Sequence, residues 1–254
     1  MKGKLKGLLL ALFNLLVLSV IARWPTWWVG LPMIAVWVVL IVFLCRLKNE
    51  TEARRPERLV LLILSAASGL LIFLLLEWIW LRRLMLILTS LFPYLILASE
   101  EAKQFKLSYE QKPWRRIDVM VYTFSLYAIF TFLFSLRTLF SGLPFWLPSF
   151  FGCLFAAGVA ALVWRLYYDQ PLPFFFFWSL IVGIVMWELL TIIGFLPLGY
   201  LTLGGLATWL WYVLQLLVRF RLSPRGIEWR RQILFLISNV VLLFIFLWFF
   251  VRWI

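Results

Sequence analysis

The sequence predicts an all-α polytopic integral membrane protein, a helical bundle with about nine transmembrane helices, and three observations carry that prediction. Of its 254 residues 65% are hydrophobic and only 14% charged, with a mean hydropathy of +1.01. A soluble domain carries roughly 45–50% apolar and about 25% charged residues, and this composition cannot clothe a water-facing exterior. The apolar residues fall in runs of about 20, the length that crosses a hydrocarbon core roughly 30 Å thick. The basic residues, finally, gather in alternate loops.

The predicted spans are residues 8–22, 28–44, 59–76, 84–98, 119–136, 147–164, 174–193, 198–218 and 233–251, forming one transmembrane domain over 1–254. In lipid the backbone must be satisfied within each segment, so each is read as a helix. Lys2, Lys4 and Lys6 precede the first span. That pattern, with Val20-Ile21-Ala22 behind it, also fits a signal peptide; the segment is read here as helix one. Residues 59–98 and 174–218 are each about forty residues long, enough for two crossings. The first is broken at Glu77-Trp78-Ile79-Trp80-Leu81-Arg82-Arg83, the second at Gly194-Phe195-Leu196-Pro197-Leu198-Gly199. Both breaks are expected to be tight turns at a membrane surface. The longest loop, residues 99–118, pairs Glu100 and Glu101 with Lys103 and Lys106 at helical spacing, which predicts a short amphipathic helix on the inner surface. Trp24, Trp27, Trp28, Trp78, Trp80, Trp114, Trp229 and Trp253 lie near span ends and read as an interfacial belt.

Orientation follows from the basic residues. With a cytoplasmic N-terminus and nine crossings, nineteen of the 24 lie inside, leaving only Arg23, Arg82, Arg83, Arg137 and Arg252 outside. The C-terminus is then outside. Arg54, Arg55, Arg115, Arg116, Arg230 and Arg231 are the expected contacts for anionic lipid headgroups. That inner-face surplus accounts for the net charge of +13 without nucleic acid as a partner. Trp114-Arg115-Arg116-Ile117 and Trp229-Arg230-Arg231-Gln232-Ile233 echo one another, and are read as two ordinary inner-face helix starts.

Candidate chemistry is sparse. Glu188 is the one acid well inside a predicted span, and a charge there costs about 2.5–3.5 kcal/mol, which marks it as a functional candidate. Thr191, Tyr200 and Thr202 lie near enough in sequence to hydrogen-bond it. Gly152, Ala156 and Gly158 in the sixth span, and Gly204 and Gly205 in the eighth, are expected to let helix backbones approach closely. The other polar groups in the spans, including Asn14, Ser19, Thr123, Thr131, Ser135 and Gln215, are expected mainly to hydrogen-bond between helices. Cys45 and Cys153 fall near opposite faces, so no disulfide is expected.

The chain contains no histidine. Its absence excludes HExxH zinc proteases, Ser–His dyads and imidazole-ligated haem or di-iron. Glu100-Glu101 resembles the paired glutamates of intramembrane CAAX-type proteases, but those enzymes also require histidines. No GxxxxGK[ST] loop is present. No catalytic, cofactor-binding or metal residues are assigned, and no cofactor is expected.

From Arg83 to Ile254 the chain resembles a family of small multi-pass membrane proteins from reduced-genome, candidate-phylum bacteria. The resemblance rests on Leu97-Ala98-Ser99-Glu100 running into Trp114-Arg115-Arg116-Ile117, and on Glu188 followed by Leu196-Pro197-Leu198. That family has no assigned activity, so the resemblance implies a bacterial inner (cytoplasmic) membrane and no mechanism. The leading expectation is a non-enzymatic membrane subunit or scaffold, working with a membrane-protein partner or a second copy of itself. The alternative is a small secondary transporter or lipid-handling protein with Glu188 as the coupling carboxylate.

Overall fold

The computed structural model describes residues 2–24, 27–46, 55–105, 112–140, 142–144, 146–168, 170–222 and 229–250. Among the described residues nine α-helices follow one another: α1 (Lys2–Arg23), α2 (Trp27–Arg46), α3 (Arg55–Leu75), α4 (Ile79–Phe105), α5 (Lys112–Leu139), α6 (Trp146–Tyr167), α7 (Phe176–Ile193), α8 (Tyr200–Leu222) and α9 (Trp229–Phe250). A 3₁₀ turn, Leu172–Phe175, leads into α7, and no strand occurs among the described residues. Among the described residues seven helices are long and apolar enough to cross a membrane: α1 and α3 to α8. These are the marks of an integral membrane protein. In α2 and α9 the qualifying apolar stretch among the described residues is shorter, Pro32–Phe43 and Leu236–Ile245.

Helix ends follow the local chemistry. Pro56, Pro113 and Pro148 stand in the first turns of α3, α5 and α6, where no backbone N–H is needed. The α7–α8 turn falls where Pro and Gly predicted it, with Phe195 and Leu196 N–H groups donating three residues back to Ile192 and Ile193 carbonyls. The α3–α4 turn is shorter than predicted. Only Leu76, Glu77 and Trp78 lie outside helix, and Ile79 to Arg83 form the first turn of α4. The charged side chains do not require the helix to stop, because they can lie along it. The Arg82 guanidinium stacks 4.1 Å over the Phe73 ring, and Arg83 reaches to 5.6 Å over Trp80. Residues 99–105 continue α4, and residues 112–118 open α5, where a separate surface helix was expected. Residues 106–111 of that loop lie outside the described residues.

The chain divides into two compact units, Met1–Ala128 and Ile129–Ile254, with the division inside α5. In the first unit α1 and α4 run antiparallel. A Cβ on Gly7 would meet Tyr94 Cα at 3.1 Å, and Asn14 Nδ2 donates to the Thr89 carbonyl at 3.3 Å. This last bond has a specific cause. Pro93 sits inside α4 and has no N–H, so the carbonyl four residues earlier, that of Thr89, loses its helical donor. Asn14, 3% exposed, supplies the missing donor from the neighbouring helix. Gly69 of α3 closes on the same point, for a Cβ there would lie 2.9 Å from Thr89 Cβ. Helices α3 and α5 run parallel. Ser68 and Ser125 hydroxyls meet at 3.2 Å, and Ile72, Leu76 and Ala128 form a buried cluster with Phe124 and Met85 against it.

In the second unit α6 and α8 run parallel, held by indole-to-carbonyl hydrogen bonds. Trp211 donates to the Ala156 carbonyl at 3.0 Å and Trp164 to the Gln215 carbonyl at 3.1 Å. Both tryptophans are fully buried. Below them the Tyr168 hydroxyl donates to the Arg219 carbonyl at 2.6 Å. Burial raises the Tyr168 pKa, which keeps this donor neutral.

The Pro93–Asn14 complementarity makes a quantitative expectation. Asn14→Leu leaves the Thr89 carbonyl unpartnered and costs about 1–3 kcal/mol. In a Pro93→Ala background the restored N–H satisfies that carbonyl, and the same substitution costs less than roughly 0.5 kcal/mol. Reversible unfolding in detergent micelles measures the cycle, and an equal cost in both backgrounds would refute the assignment.

Candidate functional site

Helix α7 is amphipathic toward lipid and protein instead of water and protein. Val182, Gly183, Met186, Leu190 and Ile193 form its buried face. Phe177, Leu180, Ile184, Trp187 and Ile192 form its exposed stripe. Glu188 lies on that stripe and is itself exposed. It stands five residues before the helix end, about 8 Å along the axis at 1.5 Å per residue, a depth still within the apolar segment.

Glu188 shares an open groove of about 470 Å³ with Ile184, Trp187, Thr191 and Ile192. The Trp187 ring is fixed edge-on against Phe150 of α6, with centroids 5.9 Å apart. Thr191 contributes little donor capacity, since its hydroxyl is already committed to the Trp187 carbonyl at 2.8 Å. Tyr200, half-buried at the start of α8, is not part of the groove's lining. The predicted trio of Glu188, Thr191 and Tyr200 therefore contributes two members to the groove.

Above the groove, at the C-terminal end of α7, Arg137 of α5 donates to the Gly194 carbonyl. A cation there complements the negative end of the helix dipole. Gly152 of α6 packs at the same end: a Cβ on it would lie 2.6 Å from Leu190 Cδ1 and 3.3 Å from Leu133 Cδ1. A Cβ on Gly204 would lie 2.9 Å from the Thr131 backbone nitrogen. Ala156 is fully buried and Gly205 half-buried. Gly158 was expected on this packing face but is exposed, with open space where a Cβ would stand. The helical period explains the difference. Gly152, Ala156 and Ala160 share one face at four-residue spacing, and Gly158, two residues from Ala156, falls on the opposite face.

The inner-face basic residues divide. Arg115 is half-buried and Arg116 exposed at the start of α5. Arg54 and the side chains of Arg55, Arg230 and Arg231 lie outside the described residues. Most hydroxyls predicted to bridge helices bond within their own instead: Ser19 to Leu15, Thr123 to Val119 and Ser135 to Phe132 carbonyls. A Ser or Thr hydroxyl reaches the preceding turn without any neighbour's help. Gln215 does connect α8 to α6, but through its backbone carbonyl; its side-chain amide is buried without a partner.

One polar group escaped the sequence reading. Asp118, assigned there to the inner loop, is 3% exposed in the second turn of α5. The Tyr122 hydroxyl lies in electrostatic range of both Asp118 and Glu57 of α3, and Glu57, Arg58 and Asp118 are all engaged in further interactions. The four-residue spacing of Asp118 and Tyr122 was the available signal, since it places both on one helix face. No group of three metal-ligating side chains gathers among the described residues.

The chain matches no protein-family model and shows no significant similarity to the curated proteins or to the solved structures. Its own geometry must therefore carry any functional reading.

The contrast between exposed Glu188 and buried Asp118 is testable with a hydrophobic carbodiimide, which reaches carboxyl groups from the lipid phase. Glu188 is expected to be modified and Asp118 protected, with adducts located by peptide mass spectrometry and lost in Glu188→Gln. Labelling of Asp118 ahead of Glu188 would overturn the placement of the α7 stripe.

Proposed function

We propose that this chain is a non-enzymatic subunit of a bacterial inner-membrane assembly, in which the outward stripe of α7 receives a transmembrane helix of another protein and Glu188 is the polar contact. The observation that carries this reading is the position of Glu188: exposed on the outside of its helix, beside an open groove and within the apolar segment. A charged side chain in hydrocarbon costs about 2.5–3.5 kcal/mol. A partner that supplies a hydrogen-bond donor or a cation offsets that cost, and the groove beside Trp187 gives such a partner something to pack against. Transport through the chain would need the carboxyl to face an interior path, so its outward position favours the subunit reading over the coupling-carboxylate one.

The proposed topology is nine crossings with a cytoplasmic N-terminus. In the first unit α1 and α3 are both antiparallel to α4, hence parallel to each other. The chain must recross between Arg23 and Arg55, and α2, with 20 residues or about 30 Å at 1.5 Å per residue, is long enough to do so. Helix α9 has 22 residues and offers the ninth crossing. The bias of nineteen inner to five outer basic residues supports the orientation, and places Arg115 and Arg116 among anionic headgroups.

The reading is tested by placing a photo-crosslinking p-benzoylphenylalanine at Ile184, and separately at buried Met186, in cells. The expected result is one discrete protein adduct from position 184, none from 186, and loss of the adduct when Glu188→Leu is added. Lipid adducts alone at position 184 would refute it.

A further inference from the structure

The first unit holds a second feature, independent of Glu188: a half-enclosed cavity of about 140 Å³ walled by α1, α2 and α3. Its floor is built from buried residues, among them Leu18, Trp37 and Ala66, while Ile34, Ile63 and Ala67 are exposed at its rim. Asn14 contributes to the wall, but its amide is committed to the Thr89 carbonyl of α4. The Trp37 indole N–H is buried without a hydrogen-bond partner, a single donor where a water would need at least two partners, and the cavity surface is otherwise apolar. Water is thereby excluded, because a buried water needs two to four polar partners. An apolar cavity of roughly 150 Å³ is large enough to take benzene, and an unfilled one forfeits the dispersion contacts of its whole lining.

Depth selects the occupant. Asn14 is the middle residue of the span Leu5–Arg23, and Trp37 lies midway along α2. With α1 and α2 both crossing as in the proposed topology, on which this step rests, the mouth opens at the centre of the hydrocarbon layer, where the surrounding solvent is the acyl chains of the bilayer. We infer that the cavity is a binding site for a hydrocarbon segment of a membrane lipid, inserted sideways between α1, α2 and α3. Ala66 and Ala67 make the space at the α3 wall, and the Trp37 ring is the wall against which the chain packs.

Bromine quenching of Trp37 tests this. The full chain is placed in nanodiscs of phosphatidylcholine brominated midway along one acyl chain, and in unbrominated controls. Trp37 is 5% exposed, so lipid around the protein does not reach it and only a chain within the cavity does. Its emission is taken as the difference between wild type and Trp37→Phe. The expected result is at least a twofold loss of that difference signal in brominated lipid. Ala67→Phe, at an exposed position that tolerates bulk, fills the mouth and abolishes the loss. Equal Trp37 emission in both lipids would overturn the proposal. So would quenching that appears only when free bromobenzene is added, since the occupant would then be a small apolar molecule and not a lipid chain.

Discussion

Every backbone polar group of this protein that lies in hydrocarbon has to find its partner inside the protein, and the architecture depends on that constraint. It turns each apolar run into a helix, because a helix is the one open-ended element that satisfies itself. Its effect is clearest where a helix fails. Pro93 deprives the Thr89 carbonyl of its donor, and Asn14 of α1 supplies one, so a local defect in α4 becomes the contact that fixes α1 against it. Trp164 and Trp211 apply the same logic in the second unit, donating indole N–H groups to carbonyls of the facing helix. A tryptophan buried in an apolar medium has few other acceptors available.

Packing then supplies what the absent hydrophobic effect between helices cannot. Gly69 admits Thr89, Gly152 admits Leu190, and Gly204 admits the backbone of Thr131, each where a methyl group would collide. The interiors of both units are thus closed by small residues and carbonyl contacts. Among the described residues, what remains exposed along the middle of the spans is largely apolar, as lipid requires. An outward acid on α7 and an apolar cavity walled by α1, α2 and α3 stand out against that background among the described residues, and they are the two places at which docking from the membrane is proposed.

Much of this was legible in the sequence and some was not, for physical reasons. Helix positions follow from the apolar runs, and the α7–α8 turn from Pro197 and its flanking glycines. The α3–α4 turn is shorter than its charges suggest, because Arg82 and Arg83 lie along the helix over Phe73 and Trp80 and do not end it. Glu188 was legible as an intramembrane acid, but its facing was not, since α7 is apolar on every side and its period cannot distinguish lipid from protein. Gly158 misled for a different reason: it was grouped with its neighbours by composition, while the helical period of α6 sets it apart from Gly152 and Ala156. Asn14 and Pro93 were both visible, and the link between them was not, because 79 residues of chain separate them. Asp118 was hidden by its place at the edge of a charged loop.

The proposed topology depends most on α2 carrying the chain back across the membrane between its parallel neighbours α1 and α3. Single cysteines introduced at Trp24 and Thr51, with Cys45 and Cys153 replaced by serine, test it directly. The account predicts that a membrane-impermeant maleimide labels position 24 in intact cells and position 51 only after permeabilisation. Labelling of both positions from the same side would contradict it.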